Sequence, residues 1–572
     1  MSILTRTWKA VRTEGLNIVL HKVRRRIKKR LDAGTYRKWV GQFDTIAENE
    51  RAEMRERAEA LTQKHLISVL MPVYNVDEKW LRKAIESVRA QIYPHWELCI
   101  ADDNSTKSHI RPVLEEYAEL DSRIKLVFRT ENGHISAASN SALELVSGEF
   151  TALLDHDDEL AEDALLMVAE AIDLDPDIDL IYSDEDLINE NGDRYSPTFK
   201  PDWSPELFYS VNITTHLSVY RTDILRRIGG FRIGYEGSQD YDLALRFIEQ
   251  TDAKNIRHIP SVLYHWRAIR GSVAYASDEK PYAHDRARKA INDHFERMNV
   301  SAKSVRGYGQ LHRTIYRWRE ERPLVSVIVD LEPGKEVQFR ESFSNTDYRP
   351  YELIFATEGS TAKPNRRTHE EASFFSRLNR AADAASGSVL CFLDASTVIK
   401  SDDWLDDLAA LAVQEKIGAA GAKIVFPDNY VKHAGLILGI GGGVGRAHYG
   451  FHRDDPGEFV RLHVTQNFSA VSIECMAVRK EVFDAVGGFD AETFPDALAD
   501  VDLCLRLLNE CYRNVWTPWS IVTQTGKPTV ASNEEIEHLR SKWPGFFERD
   551  PYYNPNFCNK DAEFRLAIPP RK

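Results

Sequence analysis

Cysteine is scarce in this chain of 572 residues: Cys99, Cys391, Cys475, Cys504, Cys511 and Cys558 are scattered, several inside apolar runs. No pair has metal-ligand spacing, so neither a disulfide framework nor a zinc site organises the fold, and a reduced cytoplasmic interior is expected. Long hydrophobic runs are equally rare. The longest candidate, Ala434 to Gly445, is short and glycine-rich, which excludes a spanning helix there. Charge breaks up the N-terminal apolar residues before a secretory h-region can form. Positive charge is in deficit as well, with 74 Lys+Arg against 88 Asp+Glu and a formal net charge of -14. A general binder of nucleic acid needs the opposite balance. Also missing is a glycine-rich basic loop after the first strand. Val73-Tyr74-Asn75-Val76-Asp77 stands there, which argues against a nucleotidyltransferase.

What is present is an ordinary globular composition, 43% hydrophobic and 28% charged, on a chain long enough for two to four domains. The basic residues that do occur are concentrated between Met1 and Leu31, with Arg24, Arg25, Arg26, Lys28, Lys29 and Arg30 at the end of that segment and Glu14 as its sole acid. Trp8, Val11, Ile18, Val19, Val23, Ile27 and Leu31 form an apolar stripe opposite them. Such a helix either lies on an anionic membrane surface or packs against its own protein. Tyr36 to His65 reads as a charged helical lead-in.

The first strand is Leu66 to Met71, stopped by Pro72-Val73-Tyr74-Asn75. A helix with Leu81, Ile85, Val88 and Ile92 on one face follows, then a second buried strand, Trp96 to Ala101, running into Asp102-Asp103-Asn104-Ser105. Strand, helix and strand in that order predict a right-handed parallel unit whose strand ends share one ligand-binding edge. Pro72, Tyr74, Asp103 and Asp157 are therefore expected to converge. The strand from Ile124 to Phe128 and a helix from Ser136 to Val146 lead to Ala152-Leu153-Leu154-Asp155-His156-Asp157-Asp158. Three apolar residues running into three carboxylates read as a buried strand ending at a cation site. Asp155 and Asp157, two apart, point the same way, and a turn frees Asp158. Mg2+ or Mn2+ suits such oxygen ligands. An acidic helix N-terminus is the other reading of the same residues.

Ile178 to Tyr182 predicts a strand ending at Ser183-Asp184-Glu185-Asp186. Trp203, in a proline-bounded loop, could stack on a sugar or simply pack. Gly229-Gly230-Phe231 leads to a helix holding Gln239, Asp240, Asp242 and Arg246. There Asp240 and Asp242 diverge by about 200°, so one faces a cleft while the other pairs, with Arg246 in reach. Ile259 to Leu263 is one more strand, ending in Tyr264-His265-Trp266-Arg267.

The pattern then restarts. Val325 to Val329 repeats Ile67 to Met71, Tyr351 to Ala356 repeats Trp96 to Ala101, and Asn379 precedes Asp394 by the interval that separates Asn140 from Asp155. Gly487-Gly488-Phe489 with Asp500 to Arg506 repeats the Asp240 region. The prediction is an α/β protein of two tandem domains with mostly parallel sheets: a helical segment to 65, domains over 66–300 and 324–535, a linker over 301–323 and a tail over 536–572.

Taken together, Met71-Pro72-Val73-Tyr74-Asn75, Asp102-Asp103, Asn132-Gly133-His134-Ile135, Asp155-His156-Asp157-Asp158, Gly237-Ser238-Gln239-Asp240 and Tyr264-His265-Trp266 resemble family 2 glycosyltransferases of the GT-A fold. The likeness is to the tandem enzymes that assemble bacterial O-antigen and related surface polysaccharides, and it extends from about Tyr36 onward, with Asp550-Pro551-Tyr552-Tyr553-Asn554-Pro555-Asn556 also familiar from that group. The resemblance implies a UDP- or dTDP-linked sugar donor and a lipid-linked or polymeric glycan acceptor. By it Pro72, Tyr74, Asp103 and Asn132 hold the base, and Asp157 is the main ligand of a divalent cation. Asp155 and Asp158 support the cation or hold the ribose, His265 approaches from the other side, and Asp240 is the general base. Gln239, Trp266 and Trp203 are the acceptor-side candidates.

The second repeat departs from this pattern. Ser396 stands at the place of Asp157, Thr357-Glu358 at that of Asp102-Asp103, and Val522-Thr523-Gln524 where Tyr264 and His265 are expected, while Asp394, Asp500 and Asp502 persist. The expectation is a domain that holds acceptor or buttresses the first. A second, metal-independent transferase with Asp500 as base, and a non-catalytic glycan- or nucleotide-binding protein, stand as the alternatives.

Overall fold

The computed structural model describes residues 34–269, 281–319, 321–331, 334–356, 373–525 and 530–571. The basic segment from Met1 to Leu31 and the pair Thr357-Glu358 lie outside the described residues. The lead-in is helical as expected, with helices over 34–43 and Glu48–Ala60. The second docks on the first domain through Arg51–Glu162 and Arg57–Glu170 ion pairs of 2.7 and 2.6 Å.

The first domain is built on β1 (Ile67–Val73), β2 (Trp96–Asp102), β3 (Ile124–Phe128), β4 (Phe150–Leu153), β5 (Glu159–Leu160), β6 (Leu180–Ile188), β7 (Arg194–Thr198), β8 (Ser218–Arg221) and β9 (Ile256–Arg267). Their order is β3-β2-β1-β4-β8-β6-β9-β5, with β7 beside β6. Every residue of β1 and β2 is buried, which is why both read as mainly apolar runs, broken only by Ser68, Glu97 and Asp102. Alternate side chains feed two helical layers. Ile67, Val69 and Met71 pack under helices Glu78–Arg89, Ile110–Leu120 and Ala164–Leu174. Leu70, Cys99 and Ala101 pack on the other face with helices His134–Leu145, Gln239–Ile248 and Pro281–Arg297. Parallel pairing of β1 with β2 and β4 brings their C-terminal ends to one edge.

Strand β6 differs from its expected end at Tyr182. It runs on through Asp184, Glu185 and Asp186, which are 0%, 7% and 0% exposed. Each carboxylate is matched from another element: Asp184 by His258 (2.9 Å), Glu185 by His216 (3.0 Å) and Lys200 (3.4 Å), and Asp186 by His265 (2.7 Å), Arg194 (2.6 Å) and the Tyr36 hydroxyl (2.7 Å).

The expected linker is not a bare connection. It holds an antiparallel hairpin of β10 (Ala302–Arg306) and β11 (His312–Tyr316). Asn292 Oδ1 accepts from Ser304 N at 2.8 Å, and His312 N donates to Ser210 O at 3.1 Å, so the hairpin packs onto the first domain.

The second domain comprises β12 (Val325–Val329), β13 (Tyr351–Phe355), β14 (Val389–Leu393), β15 (Thr397–Val398), β16 (Ile417–Val425), β17 (Val431–His433), β18 (Leu436–Ile440), β19 (Gly443–Arg446), β20 (Gln466–Asn467), β21 (Cys475–Arg479) and β22 (Arg513–Gln524). Its main sheet, β13-β12-β14-β21-β16-β22-β15, repeats the order β2-β1-β4-β8-β6-β9-β5 of the first. A counterpart of β3 would fall within 357–372, outside the described residues. The expected duplication is therefore present in the topology itself.

The expected tail boundary is displaced, because helix Asn533–Lys542 runs across it. Beyond that helix the chain straps the two domains together. Asp550 Oδ2 accepts from Leu438 N (2.8 Å) in the second domain, while Asn554 Nδ2 donates to Asp184 Oδ2 and to Lys200 O (both 2.8 Å) in the first. Trp39 Nε1 donates to Ala567 O at 3.0 Å, and an Arg513–Glu206 pair of 2.8 Å closes the same boundary.

His312 sits buried where the hairpin meets the first domain, and burial, with Arg288 and His284 nearby, lowers its pKa to about 3. The unfolded chain titrates near pH 6.5, so between those values the unfolded state holds the extra proton and acid destabilises the fold. The slope is about 1.4 kcal/mol per pH unit. Replacing His312 with Phe should flatten the loss of Tm between pH 6.5 and 4, read by thermal melts of both proteins across that range; an unchanged slope would contradict the assignment.

Candidate active site

A cleft of about 520 Å3 opens at the strand-end edge of the first sheet. Pro72 and Tyr74 reach it from the end of β1, Asp103 from the end of β2, and Asp155 and His156 from the end of β4. Asn132, Gln239, Asp240 and Trp266 complete the expected set that the structure brings together. Tyr74 stands at the rim, 45% exposed. Asp103 is buried, and its Oδ1 accepts from Arg129 Nε at 2.8 Å and from the Gly133 backbone N at 3.0 Å. That second bond ties β2 to the N-terminus of helix His134–Leu145. Gly133 has no room for a side chain there, since a Cβ would come within 2.7 Å of both Ala137 Cβ and Arg129 Nη2.

Asp240 lies in the first turn of helix Gln239–Ile248 and accepts from Asn212 Nδ2 at 3.0 Å. Burial raises its pKa, against the charge of His216. Asp242, on the far side of the helix, is bound to Arg246 (2.9 Å) and Arg232. The divergence that the helical period requires thus separates a cleft carboxylate from a structural one.

Three expected residues fall elsewhere. Asp157 does not line the cleft; its carbonyl accepts from Arg267 Nε at 2.7 Å, and burial raises the pKa of its carboxyl, with Asp155 adding to the rise. His265 turns its Nδ1 to Asp186 on β6, because a buried strand carboxylate needs it there. Trp203 packs against Phe208 and Tyr182, with ring centroids 5.0 and 6.4 Å away, beside residues of the strap such as Tyr552.

The ligand set that does gather is Asp155, Asp158 and His216, with one donor atom from each lying within 4.8 Å of the others. Asp158 is buried. Its two oxygens accept from Tyr264 Oη and Arg267 N, both at 2.7 Å, and burial with the charges of Asp157 and Asp155 holds its pKa well above the usual range. His216 turns Nδ1 to Glu185 at 3.0 Å, which leaves Nε2 for the trio. Glu185 is in turn held by Lys200, whose Nζ also donates to the carbonyls of Thr215 and His216. Burial would lower the His216 pKa, but the hydrogen bond and charge of Glu185, with Asp158 and Asp155, raise it to about 9. Two hard carboxylates and an imidazole fixed by an outer carboxylate fit Mn2+ or Mg2+. In the sequence His216, Lys200 and Asn212 carry little signal. They belong to an irregular stretch before β8, and the carboxylate that orients His216 lies inside a strand. The one cue was the polar run Asn212-Ile213-Thr214-Thr215-His216 leading into the buried β8.

The family described as Glycosyl transferase family 2 matches residues 68–229. An O-antigen biosynthesis protein, RfbC of Myxococcus xanthus, is 33% identical over 534 residues, spanning 88% of this chain and 41% of RfbC. An uncharacterized protein, y4gI of Sinorhizobium fredii, is 38% identical over 565 residues, spanning 93% of this chain and 62% of that protein. The chain thus covers less than two thirds of the length of either relative. A structure of S. aureus TarS residues 1–349 with UDP-GlcNAc aligns to 40% of this chain and 72% of its own, at 21% identity and a TM-score of 0.32. The matched range takes in β2, β3, β4, β6 and β8, so over that stretch the first domain is similar to glycosyl transferase family 2.

Proposed function

We propose that the first domain transfers a sugar from a UDP- or dTDP-linked donor to a hydroxyl of a bacterial surface glycan, inverting the anomeric centre. One observation carries this reading: a single cleft is lined by a carboxylate on a helix, Asp240, by Asp155 and His216, which gather with the buried Asp158 into a ligand trio, and by Pro72, Tyr74, Asp103 and Asn132, which suit a planar base. The family match over residues 68–229 and the similarity to an O-antigen biosynthesis protein support this substrate class.

A sugar hydroxyl is a poor nucleophile, so Asp240 accepts its proton as the new bond to the anomeric carbon forms and the bond to the diphosphate oxygen breaks. Its raised pKa makes it a stronger base than an exposed aspartate, and Asn212 fixes its orientation. In-line displacement from the Asp240 side needs no covalent enzyme intermediate. Asp155, Asp158 and His216 would hold the divalent cation, whose contribution is to offset the charge gained by the departing nucleoside diphosphate. Glu185 and Lys200 orient His216. Gln239 and Trp266, which line the same cleft, we assign to the acceptor side. We assign a lipid-linked or polymeric glycan as acceptor, met at the cytoplasmic face of the inner membrane, where the basic residues between Met1 and Leu31 suit anionic lipid. The second domain we assign to acceptor binding.

Substituting Asp240 by Asn should lower kcat about 10²–10⁴-fold while leaving the Kd for UDP near that of the unaltered protein, measured by nucleotide release and by calorimetry. A kcat within a few-fold of the parent would remove Asp240 from the role of base. His216→Gln should weaken Mn2+ binding about 10–100-fold in calorimetric titration, and His265→Ala should leave it almost unchanged; the reverse order would restore His265 as the ligand.

A further inference from the structure

The second domain repeats the cleft without its chemistry, and strand register makes the comparison residue by residue. Strand β4 meets β8 at Phe150 and Arg221, and β14 meets β21 at Val389 and Arg479. Counting along each strand puts Asp394 at the place of Asp155, Thr397 at that of Asp158 and Glu474 at that of His216. Asp500 holds the place of Asp240 in the first turn of helix Ala499–Asn509. Asp330, bound to Arg377 at 2.6 Å, stands where Pro72 lines the first cleft.

Glu474 is already matched by side chains. Lys432 Nζ lies 2.9 Å from Oε2 and Arg446 Nη1 3.1 Å from Oε1. Two protein cations therefore stand where the first domain gathers a ligand trio, and the neutral Thr397 is a poor substitute for a carboxylate. Among the described residues no group with metal-ligand spacing occurs in this cleft. Yet the cleft has not closed: its volume is about 580 Å3, against about 520 Å3 in the first. Phe374, Ile440 and Val444 supply apolar wall, and Asp394, Asp500 and Arg446 supply fixed acceptors and a donor. Asp500 is pinned by the backbone N–H groups of Ile473 (2.8 Å) and Val501 (2.9 Å).

A nucleoside diphosphate would bring its charge to Asp330, Asp394 and Asp500 with no divalent ion to screen it. An uncharged sugar meets the same wall favourably, since its hydroxyls donate to the carboxylates, accept from Arg446, and leave C–H faces for Phe374. We propose that the second cleft is a metal-independent binding site for an uncharged saccharide segment of the acceptor, held without turnover. This rests on the reading of the first domain as a sugar transferase, but it is tested separately.

The test is calorimetric titration of the full chain with maltotriose, chitotriose and mannotriose at millimolar concentration, with chelator present. At least one trisaccharide should bind, with the Kd unchanged when Mn2+ replaces chelator, and Asp394→Asn and Phe374→Ala should each weaken it tenfold or more while retaining the parental Tm. UDP with Mn2+ should bind once per chain. Absence of binding by all three sugars, equal binding by both variants, or two UDP–Mn2+ sites per chain would overturn the proposal. Loss of donor turnover with trisaccharide binding intact would instead count against the first domain's assignment alone.

Discussion

Three adjacent carboxylates inside a strand are the constraint on which the first domain depends. A buried charge without a partner costs several kcal/mol, so Asp184, Glu185 and Asp186 must each draw a partner from outside β6. The partners come from distant parts of the chain: Tyr36 from the lead-in helix, Lys200 and His216 from the irregular stretch before β8, His258 and His265 from β9, and Asn554 from the strap. One strand of acid thereby joins the amino-terminal helix, the cleft and the far end of the chain.

The geometry of the cleft follows from the same requirement. Glu185 settles which nitrogen His216 turns to the cleft, and Lys200, fully buried, holds both the carboxylate and the backbone that carries the histidine. The second domain shows what happens without it. Pairing of β6 with β9 sets Glu185 beside Tyr264, and pairing of β16 with β22 sets Ile424 beside Val522, the counterpart of Tyr264. With an isoleucine in place of Glu185 nothing remains to orient an imidazole, and the position of His216 is taken by a glutamate matched to Lys432 and Arg446. The change at the positions of the trio and the loss of its support therefore go together.

What the sequence made legible was local. Strands buried on both faces announce themselves as apolar runs, the helical period alone separates Asp240 from Asp242, and a repeated order of motifs discloses the duplication. The unread parts depend on contacts distant along the chain. Asp184-Glu185-Asp186 looks like the end of a strand because nothing nearby says that it will be neutralised. His265, next to an aromatic pair at the end of β9, looks like a ligand until Asp186 claims it. His216 looks like nothing at all until Glu185 and the end of β4 are folded around it. The hairpin at 302–316 was hidden for a different reason: its strands are short and partly exposed, and polar side chains fill much of both.

The strap has a temporal side. Asn554 follows Asp184 by 370 positions, and synthesis proceeds at roughly 5–20 residues per second, so a nascent first half waits roughly 20–75 s before that amide reaches its acid. During this interval the β6 acids lack one of their partners and the boundary with the second half is open to solvent. The contact between Asn554 and Asp184 is thus a late event in the manufacture of this protein.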